Sequence, residues 1–250
     1  MNSQKVVLIT GSSRGIGAAS AKLFASKGYS VCVNYKHDQA SALNVVKDVQ
    51  AMGVKCIAVQ ADVAIESEVE GLFNQIDSEL GSITALVNNV GVLQSQMRLQ
   101  DMNAERINNI LTTNVTSYFL CSKYAIKRMS LEFGGNGGTI VNVSSGAART
   151  GSPNEYIDYA ASKGAIDTLT VGLSKELAAQ GIRVNGVRPG LIYTDMHADG
   201  GEANRVDRLK TKIPLQRGGE VEEVAEAIYW LASEKSSFST GTIIDVTGGN

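Results

Sequence analysis

A glycine-rich turn lies directly between an apolar run and a helix-like segment near the N-terminus. The apolar run covers residues 6–9, the turn covers residues 10–17 with glycines spaced Gly-x3-Gly-x-Gly, and the helix-like segment 18–27 is followed by Gly28. Backbone without side chains can approach a pyrophosphate closely, and a helix N-terminus offers N–H donors and the positive end of its dipole. Although the spacing departs from the Gly-x-Gly-x-x-Gly fingerprint, its place between strand and helix predicts a nucleotide-binding βα unit.

Strand-like and helix-like segments alternate along the rest of the chain. Six more short apolar runs occur, at residues 31–33, 56–59, 85–87, 140–143, 183–187 and 242–244. Apolar stripes with helical spacing lie between them, formed by Leu43, Val46, Val49 and Met52, by Val69, Leu72, Phe73, Ile76 and Leu80, and by Ile166, Leu169, Leu173 and Leu177. This alternation predicts an α/β fold with a doubly wound, seven-stranded parallel sheet and helices on both faces.

No linker, repeat or low-complexity tract interrupts the alternation, so we expect a single domain over residues 1–250. Residues 191–219 are its least regular part. Because loops at the carboxyl ends of parallel strands carry function, this segment is a candidate substrate loop. The polar residues Met1 to Lys5 lead straight into the first strand, and we expect no signal peptide. No apolar stretch approaches the roughly 20 residues of a membrane span.

Composition and charge narrow the class of function. Hydrophobic residues make up 43% of the chain and charged residues 19%, which allows a sizeable core. The formal net charge of -2 argues against a nucleic-acid binder that works by bulk electrostatics. The two histidines, His37 and His197, do not predict a metal site. The cysteines Cys32, Cys56 and Cys121 are odd in number and widely spaced, which favours reduced thiols and a cytoplasmic location.

Tyr159 and Lys163 are four residues apart in a helix-like segment, so their side chains share one face of the helix. A cation beside a phenol favours the phenolate, and we therefore expect the pKa of Tyr159 to be lowered toward the working pH. Such a tyrosine can donate and accept a proton in alcohol and carbonyl chemistry. The alternative is an ordinary exposed contact, which a tyrosine and a lysine at this spacing make in many helices.

Several motifs together resemble the classical short-chain dehydrogenase/reductase family, from Lys5 to the C-terminus. Thr10-Gly11-x-x-x-Gly15-Ile16-Gly17 is similar to the family's cofactor turn. Asp62-Val63 is similar to its adenine-side aspartate, and Asn88-Asn89-Val90-Gly91 to the Asn-Asn-Ala-Gly motif after the fourth strand. Pro189-Gly190 is similar to the motif that precedes the nicotinamide. The resemblance implies a Rossmann-type sheet with the strand order 3-2-1-4-5-6-7.

The resemblance also implies a reaction, the reversible transfer of a hydride between NADP(H) and a carbonyl or secondary alcohol. Asn114, Ser145, Tyr159 and Lys163 match the family's catalytic tetrad. Ser145 would hydrogen-bond the substrate oxygen, and Tyr159 would exchange the proton. Lys163 would lower the pKa of Tyr159 and hold the nicotinamide ribose, and Asn114 would anchor a water of the proton relay. The residues expected to bind the cofactor are Gly11, Arg14, Ile16, Gly17, Lys36, Asp62, Val63, Asn89, Gly91, Tyr159, Lys163, Pro189, Gly190 and Thr194.

Two positions depart from the family's pattern. Val90 replaces the usual alanine, for which we expect a local shift without loss of binding. Ser145 lies 14 residues before Tyr159, one more than is common, which an insertion in the loop 146–158 would accommodate. Ser144 is the alternative. The variant loop at residues 151–156 is similar to members loosely described as glucose or ribitol dehydrogenases.

The candidate residues also have purely structural interpretations. Ser144 and Ser145 can be strand-end hydroxyls that satisfy a turn, and Asn88 and Asn89 can be turn formers. Asp62 can cap the helix that begins near residue 66. Asn114 lies in a helix-like segment, where asparagine is unfavourable, and a kinked helix with a water held between its carbonyl and Lys163 would explain it. Tyr156 is close to Tyr159 but has Ala160, not a cation, four residues on.

The end of the second strand bears on the choice of cofactor. In NAD-preferring sites an acidic residue near this point binds the ribose 2′-hydroxyl. Here residues 34–37 are Asn-Tyr-Lys-His, with no acid before Asp38. Lys36 and Arg14 can instead meet a 2′-phosphate with charge-assisted hydrogen bonds, so we expect NADP(H) to be preferred, with NAD(H) possible. The alternative is that both residues are solvated surface charges.

The substrate is expected to be a small molecule whose identity the sequence leaves open. Leu191, Tyr193, Met196 and His197 are candidate pocket residues that fit a sugar, a polyol, an acyl ketone or a quinone. The resemblance implies a homotetramer in which helices around residues 103–129 and 158–180 pair and the C-terminal strand packs across a second axis. The alternative functions are a non-catalytic nucleotide sensor on the same fold, and an epimerase or dehydratase that uses transient oxidation.

Overall fold

A computed structural model describes residues 5–250, and the polar residues 1–4, used above for the expectation about a signal peptide, lie outside the described residues. All seven strands in residues 5–250 are parallel and form one sheet in the order β3-β2-β1-β4-β5-β6-β7, which confirms the predicted doubly wound topology. The strands are β1 (Val6–Ile9), β2 (Ser30–Tyr35), β3 (Cys56–Gln60), β4 (Ala85–Asn88), β5 (Gly138–Val143), β6 (Ile182–Pro189) and β7 (Ile243–Val246).

Ten α-helices connect these strands within residues 5–250. They are α1 (Gly15–Ser26), α2 (Gln39–Gln50), α3 (Glu66–Glu79), α4 (Ala104–Leu111), α5 (Ser117–Met129), α6 (Ala147–Thr150), α7 (Ile157–Leu177), α8 (Met196–Asp199), α9 (Arg205–Leu209) and α10 (Val221–Ala232). None of the helices in the described range is long and apolar enough to cross a lipid bilayer. The same residues contain no group of three or more metal-ligating side chains.

Two hydrophobic cores lie on the two faces of the sheet. Val7 and Ile9 of β1 belong to the core that also holds residues of α1, α2 and α10. Val6 and Leu8 belong to the other, with residues of α3, α5 and α7. Because both faces are covered, successive side chains of the inner strands β1, β2 and β4 are all buried, which explains why these strands are continuous apolar runs. The edge strands β3 and β7 are only partly buried.

The predicted apolar stripe of α2 is correct at Val46 and Val49 and wrong at Leu43 and Met52. Its buried residues are Ala42, Val45, Val46 and Val49, whereas Leu43 is half exposed. The buried residues follow the i, i+3, i+4, i+7 spacing of one helix face. The predicted residues are each three apart, and because a helical turn has about 3.6 residues, a row with this spacing moves gradually around the helix. The stripe of α3 is buried as predicted, and that of α7 is buried except for the half-buried Leu173.

Candidate active site

The turn after β1 is shaped by its glycines. Gly11 and Gly15 have φ angles of 60° and 56°, in the left-handed region that favours glycine. A Cβ on Gly17 would lie 2.6 Å from the carbonyl oxygen of Gly11, so this position admits only glycine. The helix α1 begins at Gly15, three residues before the predicted start. Its first N–H groups therefore lie within the turn, and this glycine cradle at a helix N-terminus fits the pyrophosphate of a dinucleotide.

Asn34 on β2 holds this turn in place. Its Oδ1 accepts the N–H of Gly11 at 3.1 Å, and its Nδ2 donates to the carbonyl of Ala61 at 3.1 Å. This role of Asn34 was not predicted from the sequence. The signal was present, because a polar residue inside an apolar strand needs buried hydrogen-bond partners.

Asn88 and Asn89 are both more than turn formers. Asn89 donates from its backbone N–H to Thr10 Oγ1 at 2.9 Å and from Nδ2 to the carbonyls of Thr10 and Gly11, each at 3.0 Å. Asn88 is buried and donates to Asn142 Oδ1 at 2.9 Å. These bonds join the end of β4 to the glycine turn and to β5. Val90, which replaces the family's alanine, packs against Gly11.

Both basic residues assigned to the cofactor's 2′-position form ion pairs. Lys36 Nζ lies 2.7 Å from Asp62 Oδ2. Arg14 pairs with Asp199 on α8 and lies 3.9 Å from Asp195. The side chains of Lys36 and Arg14 are about half exposed. Neither is a free solvated charge, and Arg14 links the glycine turn to the segment 191–219.

Asp62 does not cap α3, so that structural alternative is wrong. The residue preceding α3 is Ile65, which makes no side-chain cap. Asp62 Oδ1 instead accepts the N–H of Ala64 at 3.0 Å, within a turn after β3. The neighbouring Val63 is buried.

Asn114 lies in a helix irregularity, as the sequence predicted. Residues Thr112–Thr116 form a π-helical turn between α4 and α5. The Asn114 side chain is fully buried; its Oδ1 accepts the N–H of Val92 at 2.8 Å, and its Nδ2 donates to Val92 O and to Ser162 Oγ, each at 3.1 Å. The side chain therefore joins the loop after β4 to the helix that carries Tyr159 and Lys163.

Tyr159 and Lys163 are buried, which rules out the exposed contact considered above. Tyr159 is 8% exposed and Lys163 is 2% exposed. Lys163 Nζ lies 5.7 Å from the centre of the Tyr159 ring and donates to the carbonyl of Val143 at 2.8 Å. Tyr159 forms a hydrogen bond with Ser145. A phenol, a hydroxyl and a buried amine therefore converge at the ends of β5 and α7.

The expected decrease in the pKa of Tyr159 is wrong for the protein alone. Burial raises the pKa of Tyr159, and the hydrogen bond with Ser145 only partly opposes this effect. Burial also lowers the pKa of Lys163 to about 7, against the influence of Asp167. The spacing of the two residues was predicted correctly, but an amine that has lost its own hydration is a weaker source of positive charge for its neighbour.

The two serines after β5 have different surroundings. Ser144 is buried, and its Oγ donates to the carbonyl of Lys163 at 3.1 Å. Ser145 is half buried, its Oγ accepts the N–H of Ala147 at 3.1 Å, and it reaches Tyr159. Tyr156 donates its hydroxyl to the carbonyl of Gly200 at 3.3 Å. Contrary to the expectation that Tyr156 lacks a cation, the guanidinium of Arg205 lies 5.0 Å from the centre of its ring, but no lysine amine of residues 5–250 does. Ser144 and Tyr156 line the same cavity as Ser145 and Tyr159, but only Ser145 is a hydrogen-bond partner of Tyr159.

A cavity of about 510 Å³ opens over Tyr159. Its wall includes Ser145 and Lys163 together with residues expected to bind the cofactor, namely Ile16, Asn89, Pro189, Gly190 and Thr194. The backbone of Gly91 packs against Lys163, where a Cβ would lie 3.3 Å from Nζ.

The segment 191–219 forms one side of this cavity. Leu191, Met196 and His197 line it as expected, whereas Tyr193 does not and donates instead to Asp207 at 3.0 Å. Burial lowers the pKa of His197, whose Nε2–H donates to the carbonyl of Ile192 at 3.0 Å. The two ends of the segment are joined by a β-bridge between Ile192 and Gly219.

Comparisons with known proteins find similar oxidoreductases that match nearly the whole chain. A family model described as "Enoyl-(Acyl carrier protein) reductase" matches residues 11–250. The uncharacterized oxidoreductase YgfF of Escherichia coli is 57% identical over 244 residues, which cover 98% of this chain and 99% of that protein. The 3-oxoacyl-(acyl-carrier-protein) reductase FabG of Staphylococcus aureus is 36% identical over 249 residues, 100% of this chain and 99% of that protein. A crystal structure of a short-chain type dehydrogenase/reductase from Mycobacterium marinum, 35% identical, superposes with a TM-score of 0.91 over 98% of this chain and 94% of that one.

Proposed function

The chain belongs to the short-chain dehydrogenase/reductase family and is an NAD(P)-dependent oxidoreductase; on this premise we propose that it transfers a hydride between NADP(H) and a carbonyl or secondary alcohol. The observation that carries the proposal is the convergence of Tyr159, Lys163 and Ser145 on the wall of one cavity. Supporting it, residues assigned to the cofactor, among them Ile16, Asn89 and Thr194, line the same cavity. The cofactor, when bound, supplies or accepts the hydride.

The protein's own groups would manage the proton and the developing charge. Tyr159 would donate the proton to the substrate oxygen in reduction and accept it in oxidation. Ser145 would hydrogen-bond that oxygen as negative charge develops on it. Lys163 would hold the Tyr159 phenol in a positive field, and Asn114 would fix the helix that carries both residues, as its bonds to Val92 and Ser162 support. The glycine turn, with Asn89 and Asn34, would hold the pyrophosphate side of the cofactor.

The preference for NADP(H) is proposed from charge. Arg14 and Lys36 are basic residues beside the glycine turn and at the end of β2. Each now pairs with a carboxylate, and the 2′-phosphate of NADP(H) is an anion that could take the place of that carboxylate. The half-exposed position of both side chains supports this exchange, because surface ion pairs hold their partners weakly.

The substrate is proposed to be a small carbonyl or alcohol compound with a partly apolar body. Leu93, Ile192, Met196 and Leu209 face the cavity around the polar cluster at Ser145 and Tyr159. The relative FabG is named for a 3-oxoacyl group, which contains a ketone of this kind.

We further propose a homotetramer in a reducing compartment, the cytoplasm. The large apolar side chains Leu111, Phe119 and Val171 are exposed on α4, α5 and α7, the helices expected to pair, and Trp230 and Phe238 are exposed near the C-terminal strand. The three cysteines are buried and unpaired, which suits a reducing environment.

A substrate screen tests the proposed function. Purified protein is mixed with NADPH or NADH and a panel of sugars, acyl ketones and quinones, and with NADP+ or NAD+ and a panel of polyols and secondary alcohols, while the absorbance of the reduced cofactor is followed. We expect turnover with at least one class and a higher kcat/KM with the phosphorylated cofactor. Tight cofactor binding without turnover on any panel would favour the nucleotide sensor. Substrate conversion without net cofactor turnover would favour the epimerase or dehydratase.

A further inference from the structure

The ammonium of Lys163 has a second phenol neighbour besides Tyr159. Tyr118, on α5, places its hydroxyl oxygen 3.2 Å from Lys163 Nζ and the centre of its ring 5.1 Å away. Tyr118 is 1% exposed, so it is as deeply buried as the lysine. It does not line the cavity over Tyr159, and the sequence analysis gave it no role.

Only one assignment of donors and acceptors is consistent with the hydrogen bonds around Tyr118. The Tyr118 hydroxyl donates to the carbonyl of Val143 at 2.8 Å, because a carbonyl can only accept. The lone pair of the hydroxyl therefore accepts from Lys163, which also donates to the same Val143 carbonyl at 2.8 Å. Two of the three N–H donors of the ammonium are thus fixed by the protein. This arrangement fixes the end of a long, flexible side chain.

We propose that Tyr118 is a positioning residue, whose hydroxyl and ring hold the Lys163 ammonium beside Tyr159 and favour its charged form. The inference rests on the proposed function, in which the charge of Lys163 acts on Tyr159. A phenol oxygen and an aromatic face both interact with a cation more strongly than with a neutral amine. A phenylalanine would keep the ring and remove the oxygen, so the contribution of the hydroxyl can be isolated.

The pKa of Lys163 lies close to neutral pH, so the charge of this side chain is sensitive to the groups around it. Burial lowers the pKa of Lys163 to about 7, and Asp167, which is itself paired with Arg188, opposes that effect. Burial raises the pKa of Tyr118 well above its usual value, so Tyr118 stays a neutral phenol at working pH. Tyr159 is the other titratable group that faces the ammonium. Loss of an acceptor should therefore lower the pKa of Lys163 further.

The first test measures the titration of Lys163 without cofactor or substrate. Wild type and Tyr118→Phe are pulse-labelled with acetic anhydride from pH 5 to pH 10, and acetylation of Lys163 is quantified by mass spectrometry, because only the neutral amine reacts. We expect the midpoint in Tyr118→Phe to fall by about one pH unit, roughly a tenfold change in the ratio of ammonium to amine. Tyr124→Phe is the matched control, because Tyr124 is on the same helix but stacks on Phe73. Circular dichroism confirms folding of both variants.

The second test follows the pH dependence of alcohol oxidation with a substrate found in the screen. With less charge on Lys163, the phenolate of Tyr159 is less favoured, and the acidic limb of the kcat profile should move to higher pH in Tyr118→Phe but not in Tyr124→Phe. An unchanged Lys163 midpoint, or a lowered midpoint with an unmoved profile, would overturn the inference. Absence of turnover in the wild type would count against the proposed function alone, since the acetylation experiment needs no reaction.

Discussion

The guanidinium of Arg106 binds the carboxylate of Asp158, the residue immediately before Tyr159. Arg106 Nε lies 2.8 Å from Asp158 Oδ2, and Asp158 Oδ1 accepts the backbone N–H of Tyr159 at 2.9 Å. The side chains are 7% and 2% exposed. Arg106 also donates to the carbonyl of Ser95 at 2.6 Å. A buried ion pair thus connects α4 and the loop after β4 to the first turn of the helix that carries Tyr159, the proposed proton donor.

Replacing Arg106 by methionine should destabilise the fold strongly. The change leaves the Asp158 carboxylate buried without its cation, which typically costs about 3–5 kcal/mol. Urea unfolding followed by circular dichroism measures the loss. The control is Lys123→Met, which removes the cation of an exposed pair with Glu66 at 2.6 Å and should change stability little. Similar losses in the two variants would contradict the role given to the buried pair.

Tyr159→Phe should abolish most of the activity while cofactor binding survives. Only the proton donor is removed, and general acid–base catalysis contributes roughly 10²–10⁴-fold. Steady-state kinetics and a fluorescence titration with NADPH measure the two quantities. Tyr156→Phe is the control and should do little, because the Tyr156 hydroxyl is bonded to the carbonyl of Gly200. A Tyr159→Phe enzyme with more than half of the wild-type activity would exclude Tyr159 as the proton donor.

Ser145→Ala should lower kcat by roughly 10²–10³-fold, as loss of an oxyanion donor does. Ser144→Ala should act mainly on stability, because it removes the bond from the Ser144 hydroxyl to the carbonyl of Lys163. The two alanine variants are compared by kcat and by thermal unfolding. If Ser144→Ala had the larger effect on kcat, the assignment across the inserted loop would be wrong by one residue.

Arg14→Ala should weaken NADP(H) binding selectively, by about tenfold, because a charge-assisted hydrogen bond to phosphate is lost while NAD(H) loses none. Dissociation constants for both cofactors are measured by fluorescence titration. Lys22→Ala is the control, since Lys22 lies on α1, the helix that follows Arg14, and pairs with Asp48. A wild type that prefers NAD(H), or a variant that loses both cofactors equally, would show that Arg14 does not recognise the 2′-phosphate.

The protein should be a tetramer at micromolar concentration. Closed two-fold symmetry is common among soluble oligomers, and it would bury the exposed Phe119 on α5. Multi-angle light scattering measures the mass, and Phe119→Asp should give smaller species because the interface would then bury a charge. The control Leu43→Asp alters an equally exposed residue on α2, outside the helices expected to pair. A wild-type monomer would contradict the expectation.

The sequence predicted the fold well because its signals were local. Short apolar runs and helical stripes have fixed periods, so all seven strands and their direction followed from the pattern, and the resemblance supplied the order. The positions of Tyr159, Lys163 and Ser145 followed from motifs that span a single strand or helix turn. The error in α2 arose because two apolar faces can be drawn on that helix, one that includes Leu43 and one that includes Ala42.

The missed features depend on contacts between distant segments. Tyr118 meets Lys163 across 45 residues of sequence, and Arg106 meets Asp158 across 52. No spacing rule indicates such pairs in a single sequence. The predicted decrease in the pKa of Tyr159 was also wrong. The sequence gives the distance between Tyr159 and Lys163 along a helix, but not the burial that removes water from both side chains.

The bridge between Ile192 and Gly219 means that the chain leaves the end of β6 and comes back beside it just before α10 begins. Between those two points the chain is held to its surroundings by ion pairs, such as those of Asp199 with Arg14 and of Arg205 with Glu155. We expect changes within residues 193–218 to alter the shape of the cavity while the bridge keeps the two ends of the segment together. Substitutions in this segment should therefore change which substrate fits the cavity while Ser145, Tyr159 and Lys163 keep their positions.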